Sequence, residues 1–176
     1  MDESRNERRE KRGLWRLRVT YADTDKAQIV HHASYLRYLE IARIEFLREN
    51  GFDYAAFERD TDMGLPVVEA NLRYRAPARF DDELEITLGV ERLGNTSMVS
   101  AIRIAREADT LVEGRIVHIF VRADRLNEKA SIPDHLRLLL QRFTVDGADS
   151  LATRPGVAAD CRARHGAEAR PGLTAP

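Results

Sequence analysis

Apolar and polar side chains alternate from Trp15 onward. Trp15, Leu17, Val19 and Tyr21 take one face and Arg16, Arg18 and Thr20 the other. A period of two predicts a half-buried strand. The pattern breaks at the polar turn 23–28. Beyond it, Tyr35, Tyr38, Leu39, Ala42 and Phe46 recur at helical spacing, and Leu36, Ile41, Ile44 and Leu47 widen the apolar face. This predicts a long, mostly buried helix of the kind a sheet wraps around. Ser34 is the predicted N-cap, the helix runs to about Asn50, and Gly51 fits its C-terminal cap.

Tyr54, Ala55 and Phe57 fit a short helix or loop. From Leu65 the period returns to two. Val68, Ala70, Leu72 and Tyr74 alternate with Glu69, Asn71, Arg73 and Arg75, and Pro77 stops that strand. Leu84, Ile86, Leu88 and Val90 predict the next strand, Gly94-Asn95 a turn, and Met98, Ser100, Ile102 and Ile104 a third strand. Ala108-Asp109 is a weaker turn signal. Val117, Ile119 and Val121, with Ile116 and Phe120 opposite, predict a strand apolar on both faces, which suits a central position. Pro133 opens a last short helix with Leu136, Leu139, Leu140 and Phe143 on one face.

The predicted order is a strand, a long helix, then four strands in a meander. That is an α+β domain in which a curled antiparallel sheet of about five strands wraps one helix. One helix covers one face only. The outer face of the sheet and its edge strand need other cover, which predicts self-association.

At 176 residues the chain suits one domain with a sizeable core. Residues 1–13 read as a disordered mixed-charge arm, 14–143 as the folded domain, and 144–176 as a mostly disordered tail rich in Ala, Arg, Gly, Pro and Asp. A net charge of −1 gives no strong pull toward nucleic acid or a membrane surface. No apolar run approaches the ~20 residues that span a bilayer. The charged start MDESRNERREKRG lacks a signal peptide's apolar segment, so a cytoplasmic protein is expected. Cys161 is the only cysteine, which excludes a disulfide within one chain.

The chemistry concentrates in YADTDKAQIVHHASYLRYL, residues 21–39. Asp23 and Asp25 follow the first strand, and the polar turn gives way to the helix at His32. That order aims a carboxylate and a helix N-terminus at one small volume. A carboxylate attacks or activates water, and free helix N–H groups hold a developing oxyanion. Together they suffice to hydrolyse an ester or thioester without metal or serine. The plainer reading of Asp25 is a turn-capping aspartate. Asp23 is assigned to shaping the turn by accepting backbone N–H bonds. His31 and His32 point in different directions on a helix and have no third ligand at a zinc spacing, so no metal is expected. His118 reads as a core or interface residue. Glu40 with Arg43, and Glu45 with Arg48, are spaced for helix-surface pairing. Arg122, Arg125 and Lys129 follow the last strand, either as phosphate partners or as solvated loop charges. Tyr35 and Tyr38 are assigned to the core, with room for one of the two hydroxyls to reach a pocket.

The segment YADTDKAQIVHHASYLRYLEIAR resembles the signature of hotdog-fold thioesterases of the 4-hydroxybenzoyl-CoA thioesterase type. It looks closest to the bacterial acyl-CoA thioesterase subgroup associated with the Tol–Pal system. YRAPARFDDELEI and Asn95-Thr96-Ser97 are similar to that subgroup as well, and the resemblance spans residues 14–143. It implies a hotdog fold, with Asp25 as the catalytic aspartate and the His32 backbone N–H polarising the thioester carbonyl. Thr96 and Ser97 match a region that lines the CoA arm. Tyr21, His31, Arg122, Arg125 and Lys129 complete the candidate substrate contacts. The implied substrate is an acyl-CoA or acyl carrier protein thioester, with coenzyme A present only as part of the substrate and no other cofactor. The implied assembly is a homodimer or homotetramer with each site between subunits. Two positions depart from the family: Gln28 stands where glycine is usual, and His31 where the subgroup usually has tyrosine. Another hotdog subgroup uses a glutamate on the long helix, which would make Glu40 or Glu45 catalytic. A hotdog dehydratase or isomerase acting on acyl thioesters fits the same fold, as does a non-catalytic acyl-thioester binding protein in which Asp25 has no chemical role.

Overall fold

The computed structural model describes residues 13–146. Most of the arm, most of the tail and Cys161 lie outside them. Gly13, assigned to the arm, instead opens strand β1, Gly13–Arg18. Trp15 and Leu17 pair with Ile86 and Leu84 on the inner face, and Arg16 stands outward beside Glu85, as the alternation requires. A single 3-10 turn over Tyr21–Asp23 follows.

Helix α1 spans His32–Glu49 and buries Tyr35, Tyr38, Leu39, Ala42, Phe46 and Leu47. Leu36 and Ile41 were expected to widen that buried face but stay about two-fifths exposed in a single chain. The helix closes at Gly51, whose φ of 80° lies in the left-handed region. The Gly51 N–H reaches Arg48 O and the Phe52 N–H reaches Leu47 O, satisfying two otherwise orphaned carbonyls. Helix α2, Tyr54–Thr61, is capped by Asp53, whose carboxylate accepts the Ala56 N–H at 3.0 Å.

The strands that follow are β2 (Met63–Gly64), β3 (Val67–Tyr74), β4 (Glu83–Leu93), β5 (Ser97–Arg106), β6 (Asp109–Ile119), β7 (Val121–Arg122) and β8 (Arg125–Lys129), and helix α3 covers Asp134–Gln141. Five form one antiparallel sheet in the order β1-β4-β5-β6-β3. The expected four-strand meander is therefore only three strands long. β3 pairs with β6, from Val67 opposite His118 to Tyr74 opposite Val112. The segment 75–82, stiffened by Pro77, makes no tight turn. It crosses the end of the sheet instead, from Leu111 O, which takes the Arg75 and Ala76 N–H groups, to Val19, which exchanges bonds with Asp81 and Asp82.

The central strand is β5, buried on both faces, and not the segment 116–121. Ser100 and Arg103 disguise β5 in the sequence. β6 ends at Ile119 because Phe120 turns away, donating to Thr96 O and accepting from Ala130 N–H. Val121–Arg122 then joins β2 and β8 in a separate three-stranded sheet.

The core lies between α1 and the inner face of the main sheet. Leu84, Ile86, Ile102 and Ile104 have no exposed surface there, and Leu136 and Leu140 of α3 close one end. Each such side chain contributes about 1.5–3 kcal/mol by burial. Phe143 packs edge-on against Phe46, and the Val145 N–H returns to Val90 O, so pairing continues just past the expected domain end at 143.

The outer face carries more of its own cover than expected. Ala101, Arg103 and Ala105 are buried there, flanked by the ion pairs Arg16–Glu85 at 2.8 Å and Arg115–Glu91 at 2.6 Å. The Arg103 Nε donates to the Thr110 hydroxyl at 2.8 Å, and burial pushes its guanidinium below the usual arginine range. What stays open is the β3 edge, where Val67, Val68 and Tyr74 are about half exposed.

Candidate active site

Asp23 anchors the turn. It is buried, and its Oδ2 accepts the Thr20 N–H at 2.9 Å and the Thr20 hydroxyl at 2.7 Å. Its Oδ1 pairs with Arg37 from α1. Its backbone oxygen accepts the His31 N–H at 2.8 Å and the Ser34 hydroxyl at 3.1 Å. The turn-shaping role read from the sequence is the one the structure displays.

Asp25 stands two residues on, exposed, at the head of a tight loop. Thr24 and Val30 bridge across the loop's base. The Asp25 N–H donates to Ile29 O at 3.0 Å, and the Gln28 N–H to Asp25 O at 2.9 Å. Its Oδ1 accepts the Ala27 N–H at 2.8 Å. This Asx-type turn holds one carboxylate oxygen and leaves the other directed at solvent. Gln28 has φ of 60°, the left-handed conformation for which glycine is suited.

The helix start differs from the expected one. The N-cap is His31, whose Nδ1 accepts the Ala33 N–H at 3.3 Å. Ser34 lies inside the helix, with its N–H on His31 O and its hydroxyl on Asp23. A histidine side chain is an infrequent cap, which is why serine looked preferable. The N–H groups of His31, Ala33 and Ser34 are thus all engaged. The His32 N–H, first in the helix, has no acceptor among the described residues. It carries the positive end of the α1 dipole.

Asp25 and His32 line one cleft of about 390 Å³ with Val30, Tyr35, Tyr74 and Arg75. The Tyr74 hydroxyl donates to His32 O at 3.4 Å, and the Tyr35 hydroxyl accepts the Ala78 N–H at 3.2 Å. Their rings lie 5.5 Å apart, and burial raises both phenols above the usual tyrosine range. Both therefore stay protonated at neutral pH. Sequence reasoning allowed a Tyr35 or Tyr38 hydroxyl to reach a pocket, and the structure places Tyr35 in the cleft; it left Tyr74 and Arg75 out of the site. YRAPARF carried the signal for the latter two, because a segment crossing the sheet end must pass the turn.

The remaining candidate residues fall elsewhere within one chain. His31 abuts His32, ring centroids 4.1 Å apart, but does not line the cleft. Tyr21 is largely exposed and stacks on Phe80 at 3.7 Å, outside the cleft. Thr96 and Ser97 sit at the β4–β5 turn, beside Phe120. Arg122 pairs with Asp62 at 3.4 Å, and Arg125 with Asp124 and Glu128 at 3.4 Å each. Lys129 is exposed at the end of β8. All five lie by the Ile119 end of β6, whereas the cleft lies by the Val112 end, roughly 23 Å away along the strand. On α1, Glu45 pairs with Arg48 as expected. Arg43 does not pair with Glu40. Its guanidinium turns inward over the Tyr54 ring instead, 5.0 Å from the centroid.

An α+β fold with one long helix against a curled antiparallel sheet, and a carboxylate beside a free helix N-terminus, defines the hotdog thioesterase class. The pattern of the Thioesterase-like superfamily matches residues 19–140, and the chain belongs to that family. It is 39% identical over 98 residues to the acyl-CoA thioester hydrolase YbgC of Escherichia coli O6:H1, covering 56% of this chain and 72% of that one. It is 26% identical over 132 residues to a 1,4-dihydroxy-2-naphthoyl-CoA hydrolase of Thermosynechococcus vestitus, covering 74% and 90%. Among solved structures, the hypothetical protein TT1821 of Thermus thermophilus superposes with a TM-score of 0.67 at 33% identity, covering 73% and 97%.

Proposed function

We propose that the chain hydrolyses acyl-CoA thioesters to a free acid and a thiol, with Asp25 and the His32 N–H as its working groups. The observation that carries this reading is the shared cleft: an exposed carboxylate and an unengaged helix N–H face the same volume. The thioester carbonyl oxygen accepts from the His32 N–H, and negative charge growing on it meets the α1 dipole. Asp25 either adds to the carbonyl carbon, forming an anhydride that water then opens, or removes a proton from the attacking water. In both routes the C–S bond breaks, the thiolate leaves with the electron pair, and water supplies the acid's new oxygen. Both need ionised Asp25. A thioester is already activated, so these residues suffice for the reaction. The hydrolase names of the relatives support the same chemistry.

Within the family we assign the chain to the YbgC-like, Tol–Pal-associated subgroup, on the DTD turn and YRAPARFDDELEI. We further propose a cytoplasmic homodimer or homotetramer. The open β3 edge, eight residues long with Val67 and Val68 exposed, suits edge-to-edge pairing with a second copy. Such pairing is how Thr96, Ser97, Arg122, Arg125 and Lys129 of one subunit would reach CoA held at the partner's cleft.

Release of free thiol from acyl-CoAs of varied chain length, with acyl carrier protein thioesters in parallel, tests the activity. No release from any of them would leave the binding-protein reading. Light scattering tests the assembly, and a stable monomer at micromolar concentration would rule out the shared site.

A further inference from the structure

A second, larger cavity of about 450 Å³ lies between α1 and the inner face of the sheet. Its wall is mostly apolar, with Leu39, Phe46, Ile102 and Ile116 among its lining. Of the polar side chains that interrupt that wall, two carry buried nitrogens without a hydrogen-bond partner. His118 faces inward from β6, opposite Met98, and is only 3% exposed, yet its Nδ1 has no hydrogen-bond partner. Arg43 turns inward from α1, and its Nε and Nη1 are buried without an acceptor. The two groups sense each other. Burial first, and the Arg43 charge second, pull the His118 imidazole down to about 3, so it is neutral at neutral pH.

A guanidinium with two buried nitrogens lacking acceptors, in the same wall as a neutral imidazole, is costly to leave unsatisfied. An oxygen acceptor placed between them satisfies both. A carboxylate suits best, because it accepts one of these N–H groups in a charge-assisted bond and compensates the guanidinium's charge. The neutral imidazole can add a second donor at Nδ1 in the tautomer that carries its proton there.

The cavity and the Asp25 cleft follow one another along the same two elements, α1 and β3. His32, Leu36 and Glu40 follow one another on one stripe of α1, and Tyr74, Leu72 and Ala70 on the inner face of β3. His32 and Tyr74 line the cleft, while Leu36, Glu40 and Ala70 line the cavity. Arg43 lies roughly 16 Å further along the helix axis than His32. Glu40, which also lines the cavity, is exposed.

We propose that this cavity receives the acyl chain and selects acyl groups ending in a carboxylate, which seats between Arg43 and His118. This rests on the thioesterase reading above.

Octanoyl-CoA and suberoyl-CoA have acyl chains of equal length and differ only in the terminal carboxylate. The wild-type protein is expected to favour suberoyl-CoA in kcat/KM by about 10-fold or more, the worth of one charge-assisted hydrogen bond. Arg43→Met and His118→Leu should each lower that ratio, Arg43→Met to near one. Equal use of the two substrates by the wild type, or an unchanged ratio in both variants, would overturn the inference. If no thioester is hydrolysed, calorimetric titration with octanoate and octanamide still decides it. Tighter binding of octanoate, lost in Arg43→Met, supports the site, and equal or tighter binding of octanamide refutes it. Circular dichroism identifies a variant that has failed to fold, and the wild-type preference then stands as the deciding arm.

Discussion

The His31 backbone N–H donates to the Asp23 backbone oxygen across 2.8 Å, clamping the start of α1 to the end of the 3-10 turn. Everything between these two residues is a loop hung from that clamp. The Asp23 carboxylate reinforces it through Thr20 and Arg37. Asp23 therefore decides where Asp25 and His32 stand without lining their cleft.

Asp23→Asn should act on stability more than on chemistry. It removes the charge that the buried hydrogen bonds and the Arg37 pair rely on, a loss on the order of 2 kcal/mol. Urea melts should show an earlier midpoint with the slope unchanged, while the folded fraction keeps most of its turnover. An unshifted midpoint would mean the clamp is carried by the backbone bonds alone.

Asp25→Asn should do the reverse. Asn keeps an oxygen for the Ala27 N–H, and the side chain is exposed, so stability should stay within about 0.5 kcal/mol. Turnover should fall by ~10² or more, because both routes need the carboxylate charge. If Asp25→Asn turns over normally while Glu40→Gln or Glu45→Gln does not, the catalytic carboxylate is on α1.

Much of this architecture is legible in the chain because facing is a local property. The inward set Trp15, Leu17, Leu84, Ile86, Ile102 and Ile104 follows from a period of two, and the buried stripe of α1 from helical spacing. Strand order is not local. Nothing in VVEANLRY says that it pairs with β6 and not with β4. The Asp25–His32 apposition could be read because both residues belong to one short loop. Tyr35 and Tyr74 could not, since they meet only after segment 75–82 crosses the sheet. Arg43 shows the same limit, because Glu40 and Tyr54 compete for it and only packing decides the outcome. The candidate phosphate ligands Arg122 and Arg125 find acidic neighbours in their own turn, which spacing alone did not reveal.

Gln28 is strained by its own loop. A residue with a Cβ at φ of 60° costs roughly 1–2 kcal/mol relative to the right-handed region. Gln28→Gly removes that cost but frees the unfolded chain, which returns about 0.5–1 kcal/mol. The net expectation is a stabilisation of roughly 0.5–1 kcal/mol, seen as a higher melting temperature. A lower melting temperature would mean the glutamine side chain makes a stabilising contact that outweighs the strain.

His32 separates backbone from side-chain catalysis. The proposed donor is its N–H, which alanine keeps and proline lacks. His32→Ala should therefore retain much of the activity, although it removes the ring that lies 4.1 Å from His31. His32→Pro should lose it, since deleting one oxyanion donor typically raises the barrier by about 3–4 kcal/mol. Position 32 is the first residue of the helix, where proline fits and breaks no intrahelical bond, so the fold should survive. Proline also restricts the preceding residue to extended geometry, and His31 already has φ of −62° and ψ of 138°. The comparison is clean for that reason: the backbone of the cap already satisfies what proline demands. Circular dichroism on both variants checks the fold, and thiol release checks the chemistry. Equal and severe loss in both would transfer the role to the imidazole, and a histidine-assisted or dehydratase-like reaction would replace the carboxylate and N–H mechanism.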